Sequence, residues 1–235
     1  MDGTEPTVFD DTSVVERLRH GDRLAAELVI RRHNQALWRI ARSILRHDQD
    51  AEDAIQETYL RAFSQIGNFR GEAGLGTWLA RIAVNEALRG LTKRRVTSGF
   101  AESADGRGLP PPAAPGNRPV QSPEQLASRR EIRRLVEGAV DRLPTPFRVV
   151  FVMRVVEQMS ISETAAALNV PAATVKTRLH RAIQQLRPAL SEDLAAALQG
   201  AFPFDGERCE RLTKAVLLRL PSFSMTGNLS SPRQV

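Results

Sequence analysis

The sequence predicts an all-α protein: two helical domains joined by a Pro/Gly-rich linker, with a helical tail after the second. Three observations carry this. Only 5% of the 235 residues are aromatic and β-branched runs are sparse, so the composition that favours strands is missing. Apolar residues recur at spacings of three and four along most of the chain, as in helices with one buried face, and no segment alternates long enough for a strand. Six of the fourteen prolines fall between Val96 and Pro123, together with Gly99, Gly106, Gly108 and Gly116. The stretch LPPPAAPGNRP has no apolar periodicity to offset the entropy of ordering, so residues 96–121 read as an extended linker. The domains then cover 10–95 and 122–188, with a tail over 189–235.

In order, Ser13 caps a short helix ending at Gly21, and helices follow over about 22–46, 50–66 and 77–92. Ala51, Ile55, Tyr59, Ala62 and Ile66 form the inward stripe of the third, and Leu75, Leu79, Ile82, Ala83 and Ala87 that of the fourth. Ser122 and Pro123 are a cap and first-turn proline for a helix to Leu143. Shorter helices follow at about 145–157, 160–168 and 171–187. Ser160 and Glu163 fit a capping box, Asn169 and Val170 supply a tight turn, and Pro171 opens the next helix. In the tail, FDGERCERLTKAVLLRL (204–220) puts Cys209, Leu212, Val216 and Leu220 on one side, with Leu217 and Leu218 flanking. Such a stripe needs cover. Either it extends the core of the second domain, or it packs across both domains and restrains them.

Lys plus Arg is 33 and Asp plus Glu is 27, a formal charge of +6 that favours polyanionic partners, nucleic acid or an acidic membrane surface. One cysteine excludes an intramolecular disulfide, and with four histidines it excludes a Cys-rich zinc site. Cys209 reads as a small core hydrophobe rather than a nucleophile. The opening residues lack the basic and apolar regions of a secretory signal, and the longest apolar run, Val149 to Met153, is too short to cross a bilayer. The expectation is an intracellular protein without membrane insertion. No H-E-x-x-H, no Glu-x-x-His pair and no phosphate-binding glycine loop is present, so no metal, cofactor or catalytic residue is expected. The signs are segregated: Asp48 to Glu57 holds five acids and no base, and 171–190 holds four bases and no acid. Such a chain binds one cationic and one anionic partner, or folds its halves around one another.

Three helix faces carry chemistry. After Pro171, Val175, Leu179, Ala182, Ile183 and Leu186 lie on one side, and Thr174, Thr177, His180, Arg181 and Gln184 lie opposite, flanked by Lys176 and Arg178. With the capped helix and turn before it, this is a helix-turn-helix pattern, in which Arg, Thr and Gln read base edges and Lys and Arg hold phosphates. An amphipathic helix with a solvated basic face is the plainer alternative. On the fourth helix, Trp78, Arg81, Asn85 and Arg89 line a stripe running into Lys93, Arg94 and Arg95, after a glycine-punctuated loop with Phe69 and Arg70. An aromatic beside basic and amide groups suits melted DNA, and a partly buried Trp on a solvated face explains it equally well. On the third helix, Asp53, Gln56, Glu57, Leu60 and Arg61 share the outer and flanking faces. Asp50, Glu52 and Asp53 suit a helix N-terminus electrostatically, whereas Leu60 among polar groups suggests a protein contact.

DAEDAIQETYLRAF (50–63), FRGEAGLGTWLARIAVNEALRGLTKRR (69–95) and LPTPFRVVFVMRVVEQMSISETAAALNVPAATVKTRLHRAIQQLR (143–187) together resemble an extracytoplasmic-function sigma factor of the sigma-70 family. The resemblance covers about 10–95 and 122–188, in family order. It implies a cytoplasmic bacterial subunit of RNA polymerase that selects promoters of stress- or signal-responsive genes. It implies core-polymerase binding, on the clamp, by Asp50, Glu52, Asp53, Gln56, Glu57, Leu60 and Arg61. It implies minus-ten DNA binding by Phe69, Arg70, Trp78, Arg81, Asn85, Arg89, Lys93, Arg94 and Arg95. Minus-thirty-five binding falls to Arg154, Thr174, Lys176, Thr177, Arg178, His180 and Arg181. Promoter DNA, duplex and melted, is then a partner, and the family admits an anti-sigma factor as another. The chain departs from the family at Arg89, where many relatives have an acid, at Gly90 within the helix, and at Gln158, where glycine is common. The competing function is a stand-alone helix-turn-helix regulator of duplex operators, which leaves the acidic helix, the Trp78 stripe and the linker unused.

Overall fold

The computed structural model describes residues 11–97, 123–187, 200–204 and 206–220. Among them the chain forms nine α-helices and no strand, and most of the expected linker, residues 98–121, lies outside them. The N-terminal bundle is α1 (Asp11–Arg19), α2 (Arg23–Leu45), α3 (Asp48–Ser64) and, after a 3-10 turn Ile66–Asn68, α4 (Leu75–Thr97). Ser13 lies inside α1 and is not its cap. The chain turns at Gly21 (φ +72°), and α2 starts where the Asp22 carboxylate accepts from the Leu24 and Ala25 amides at 2.8 and 3.2 Å. It ends at Arg46 in the left-handed region. α4 is capped from across the bundle: Asp11 Oδ2 accepts from the Leu75 amide at 2.9 Å. The expected stripes of α3 and α4 are all buried, and the Tyr59 hydroxyl donates to Ile30 O at 3.2 Å. Gly90 does not interrupt α4.

The second set is α5 (Pro123–Arg142), α6 (Thr145–Phe151), α7 (Ile161–Leu168) and α8 (Ala172–Leu186). The single helix expected at 145–157 widens after Phe151 into a π turn, Val152–Val156, closed by Glu157 N to Val152 O at 2.9 Å. Gln158, at φ +55°, then turns the chain. The capping box is present: Glu163 N donates to Ser160 Oγ at 3.1 Å and Ser160 N to Glu163 Oε2 at 2.7 Å. Asn169 closes α7 in the left-handed region, with Val170 N reaching Ala165 O, a Schellman end. Pro171 caps α8 from outside its first turn.

The two sets pack together, α7 on α4 and α6 on α2. Arg148, 1% exposed, donates to Ser43 O on α2 at 2.6 Å and to Asp141 O and Leu143 O at the end of α5 at 3.1 and 2.8 Å. Burial lowers its pKa to about 10, which leaves it charged at neutral pH. Arg42 grips both Asp141 oxygens at 2.8 and 3.0 Å, and Arg39 pairs with Glu157 at 2.9 Å. The tail helix α9 (Glu207–Leu218) lies on α2 and α3. Leu212, Val216, Leu217 and Leu220 are buried there, so the N-terminal bundle covers the tail stripe. Leu218 is left exposed.

Candidate nucleic-acid and protein interfaces

α3 projects its acids because the inward stripe fixes its rotation. Asp53, Glu57 and Arg61 are exposed, and Asp50, Gln56 and Leu60 half-buried. Asp53 accepts from Gln49 one turn back at 3.4 Å. Arg61 pairs with Glu86 of α4 at 2.7 Å. Leu60, with Leu18, Phe63 and Leu220, lines an open groove of about 980 Å³ beside Glu57. Glu52 differs from its neighbours. It is 8% exposed, held by Arg208 at 2.7 Å and Arg211 at 3.0 Å from α9.

On the α4 side, Arg81, Asn85, Arg89 and Lys93 are exposed, and Arg89 shares Glu86 with Arg61 at 2.8 Å. Arg94 and Arg95 continue the helix, with side chains outside the described set. Trp78 is half-buried. Phe69, expected in the glycine-punctuated loop as a minus-ten contact, is 8% exposed, edge-on to Trp78 at 5.4 Å, and its carbonyl accepts from Arg19 at 3.0 Å. Its ring belongs to the bundle core because a six-carbon ring next to Ile66 gains more from burial than from water. Arg70 stays exposed beside Gly71, whose φ of +73° turns the loop.

On α8, Lys176, Thr177, His180 and Arg181 are exposed, and Thr174 and Arg178 half-buried. The Thr177 hydroxyl donates back to Ala173 O at 3.0 Å. Val175, Ala182 and Leu186 are buried as expected, whereas Ile183 is 42% exposed. Arg154 sits half-buried in the π turn, away from this face in sequence but near Glu163, whose carboxyl is held below the ordinary range by the hydrogen bonds from Ser160 and, more weakly, by Thr77 and Arg154. Thr77 of α4 reaches the same carboxylate at 3.3 Å. Among the described residues no group of three His, Cys, Asp or Glu is placed to hold a metal, and no helix is long and apolar enough to cross a membrane.

The tail's basic face was missed as a partner of α3. Arg208 also reaches Asp48 at 3.3 Å, and Arg219 reaches Glu57 at 3.0 Å. The signal was there: five acids in 48–57 and, in the tail, Arg208, Arg211 and Arg219 beside an apolar stripe.

Residues 29–97 match the family model for sigma-70 region 2, and residues 133–186 that for sigma-70 region 4. The chain is 30% identical over 198 residues to the RNA polymerase sigma-H factor of Pseudomonas aeruginosa, covering 81% of this chain and 99% of that one. It is 30% identical over 176 residues to the ECF RNA polymerase sigma-E factor of Escherichia coli K12, covering 73% and 90%. Among solved structures it is similar to CnrH in complex with the cytosolic domain of CnrY (TM-score 0.53, 23% identity, covering 76% of this chain and 96% of that one). It is similar too to the sigma factor RpoE in complex with the anti-sigma factor NepR from Bartonella quintana (TM-score 0.53, 24% identity, 71% and 94%).

Proposed function

The chain belongs to the extracytoplasmic-function group of the sigma-70 family, and we propose how its three faces divide the work of an RNA polymerase sigma factor. The outer face of α3, with Asp53, Glu57 and Leu60, docks on the clamp of core RNA polymerase. The α4 face, with Arg81, Asn85 and Arg89 beside Trp78, engages the minus-ten element as it melts. The exposed face of α8, with Lys176, His180 and Arg181, enters the major groove of the minus-thirty-five element. The protein performs no covalent chemistry of its own and acts in the bacterial cytoplasm. A stand-alone operator-binding regulator would leave α3 and α4 without a role.

The observation that carries this reading is the separation of signs: exposed acids on α3, and exposed bases on α4 and α8. The two promoter elements are about 25 base pairs apart, about 85 Å of B-form DNA at roughly 3.4 Å per pair. Thr77 on α4 and Glu163 on α7 touch at 3.3 Å. The domains therefore part before both elements are read, and the chain between α4 and α5, residues 98–122 at no more than about 3.3–3.6 Å per residue, is long enough to reach about that far. An anti-sigma factor, as in the RpoE–NepR complex, is a partner suited to hold the closed form.

Capture of core polymerase tests the α3 assignment. Asp53→Lys should weaken capture about tenfold, because a reversed charge meets its complement across an interface, while the melting temperature stays within a degree or two of wild type. Undiminished capture by the folded variant would remove α3 from the interface.

A further inference from the structure

The tail makes three kinds of contact with surfaces that the proposed function needs free. The first is ionic. Arg208 holds Glu52 and Asp48, Arg211 holds Glu52, and Arg219 holds Glu57, so three guanidinium groups pair with three acids of α3, from first turn to third. The second is apolar: Leu212, Val216, Leu217 and Leu220 are buried against α2 and α3. The third is a backbone strap over residues 201–204. Gln35 of α2 donates to Phe202 O at 2.6 Å and accepts from Phe204 N at 2.7 Å. Arg39 donates to the same Phe202 carbonyl at 3.1 Å, and the Phe202 amide donates to Glu137 of α5 at 2.7 Å. Phe204 stacks on Trp38 at 5.2 Å, and the Arg42 guanidinium lies 4.4 Å from the Phe202 ring centre. The strap thus joins α2 to α5, while the helix that follows it covers part of α3.

We infer that residues 200–220 are an intramolecular competitor of core RNA polymerase, a basic amphipathic helix seated in cis on the α2–α3 surface. This rests on the assignment of α3 as the polymerase-binding helix. The occupant's chemistry matches the surface: bases facing acids, leucine and valine facing the apolar seam between α2 and α3. The bond is built to be reversible. Arg211, Arg219 and Glu57 are half or more exposed, so their pairs contribute little and weaken with salt. The apolar stripe is one face of a single short helix, Glu207–Leu218, laid on the core of α1–α4 from outside the four-helix bundle. While the tail is seated, polymerase meets a neutralised Glu52, a paired Glu57 and a groove partly walled by Leu220. A protein whose binding-competent form is populated at 1–10% binds about 10–100-fold more weakly than that form. Releasing the tail should recover that factor.

Two experiments on the full chain test this. Asn34 Nδ2 lies 3.2 Å from Cys209 Sγ across the α2–α9 contact, and Cys209 is the only cysteine. Asn34→Cys should therefore close a single disulfide on oxidation and lock the tail down. The locked protein should capture core polymerase at least tenfold less well than the same protein after reduction. Equal capture in both states overturns the inference. Conversely, Arg208→Glu with Arg211→Glu puts like charges against Glu52 and should release the helix, seen as loss of amide protection over 207–218 with protection of α2 and α3 kept. Capture should then rise about tenfold. Release without a gain in capture overturns the inference. If Asp53→Lys still weakens capture in that case, the α3 assignment survives it, whereas if Asp53→Lys changes nothing the assignment falls as well.

Discussion

Replacing Asp141 by Asn isolates the docking of the two domains from the stability of either one. The carboxylate sits near the end of α5 and receives Arg42 of α2 with two hydrogen bonds, 2.8 and 3.0 Å, across the contact. Both side chains are mostly covered, 17% and 28% exposed. Burial works against the Arg42 charge, yet Asp141 and Asp48 more than restore it, and its pKa stays above the ordinary arginine value. Asn keeps the shape and one acceptor but removes the charge. Breaking a fully buried pair costs about 3–5 kcal/mol. Here Asp48 stays at 3.1 Å and water reaches both groups, so about 1–2 kcal/mol is the proper scale. That shifts the closed-to-open ratio about 5–30-fold toward open. Small-angle scattering reads it: a compact chain of 235 residues has a radius of gyration near 18 Å, and a parted pair of domains on an extended linker is much larger. A fluorescent pair at the exposed positions Ser64 and Gln184 gives the same information as a distance distribution. If Asp141→Asn leaves scattering, distance distribution and melting all as in wild type, the bidentate pair does not hold the domains together and the reasoning fails.

Other perturbations separate further roles. Arg181→Ala should cost about 1–3 kcal/mol of promoter binding and relax preference at one upstream position, whereas Lys176→Ala should weaken all sequences alike and flatten the salt dependence; competition assays across a promoter library at several salt concentrations distinguish them. Gln158→Gly should raise stability by about 0.5–1 kcal/mol, read as a higher melting temperature, because the residue occupies φ +55° without a conformational reason to be glutamine. His33 provides a pH signature. Burial, with Arg32 adding to it, lowers its pKa to about 4, so the folded protein keeps it neutral while the unfolded chain takes up a proton below about pH 6.5. Stability is therefore full above about pH 6.5 and falls as pH drops toward 4, by about 2 kcal/mol at pH 5. Urea titrations at pH 7 and 5 check this, and His33→Leu should shrink the difference between them.

The helices were legible wherever a local signal existed. The capping box at Ser160, the left-handed end at Asn169 and the apolar stripes of α3, α4 and α9 each follow from residues within a few positions of one another, and all are present. What failed locally did so for long-range reasons. α1 does not need Ser13, because it begins earlier, at Asp11, whose side chain is committed to a helix start 64 residues away. The helix expected to run through Glu157 loosens into a π turn, where Glu157 meets Arg39 of α2. The burial of Phe69 was not legible because the glycines around it point to an open loop, while the ring's neighbour is Trp78, nine positions on. For the site, periodicity identified which side chains face outward on α3, α4 and α8. It carried no information on which outward faces meet each other, and so Glu52 looked as free as Asp53.

That missing information concerns one place, where tail and domain interface share side chains. Arg39 donates to Phe202 O and pairs with Glu157, and Arg42 lies over the Phe202 ring while gripping Asp141. Each arginine is thus held from two directions, by the strap and by the second domain. Side chains in one hydrogen-bonded network do not contribute additively. Withdrawing the strap removes a stacking partner from Arg42 and an acceptor from Arg39, which weakens their hold on Asp141 and Glu157. Parting the domains takes Glu137 away from the Phe202 amide and weakens the strap in turn. The two events are linked, and linkage is reciprocal: whatever displaces the tail from α3 favours open domains, and whatever separates the domains favours a free α3. A polymerase that captures α3 would then also release α8 to reach DNA, so one binding event prepares the next.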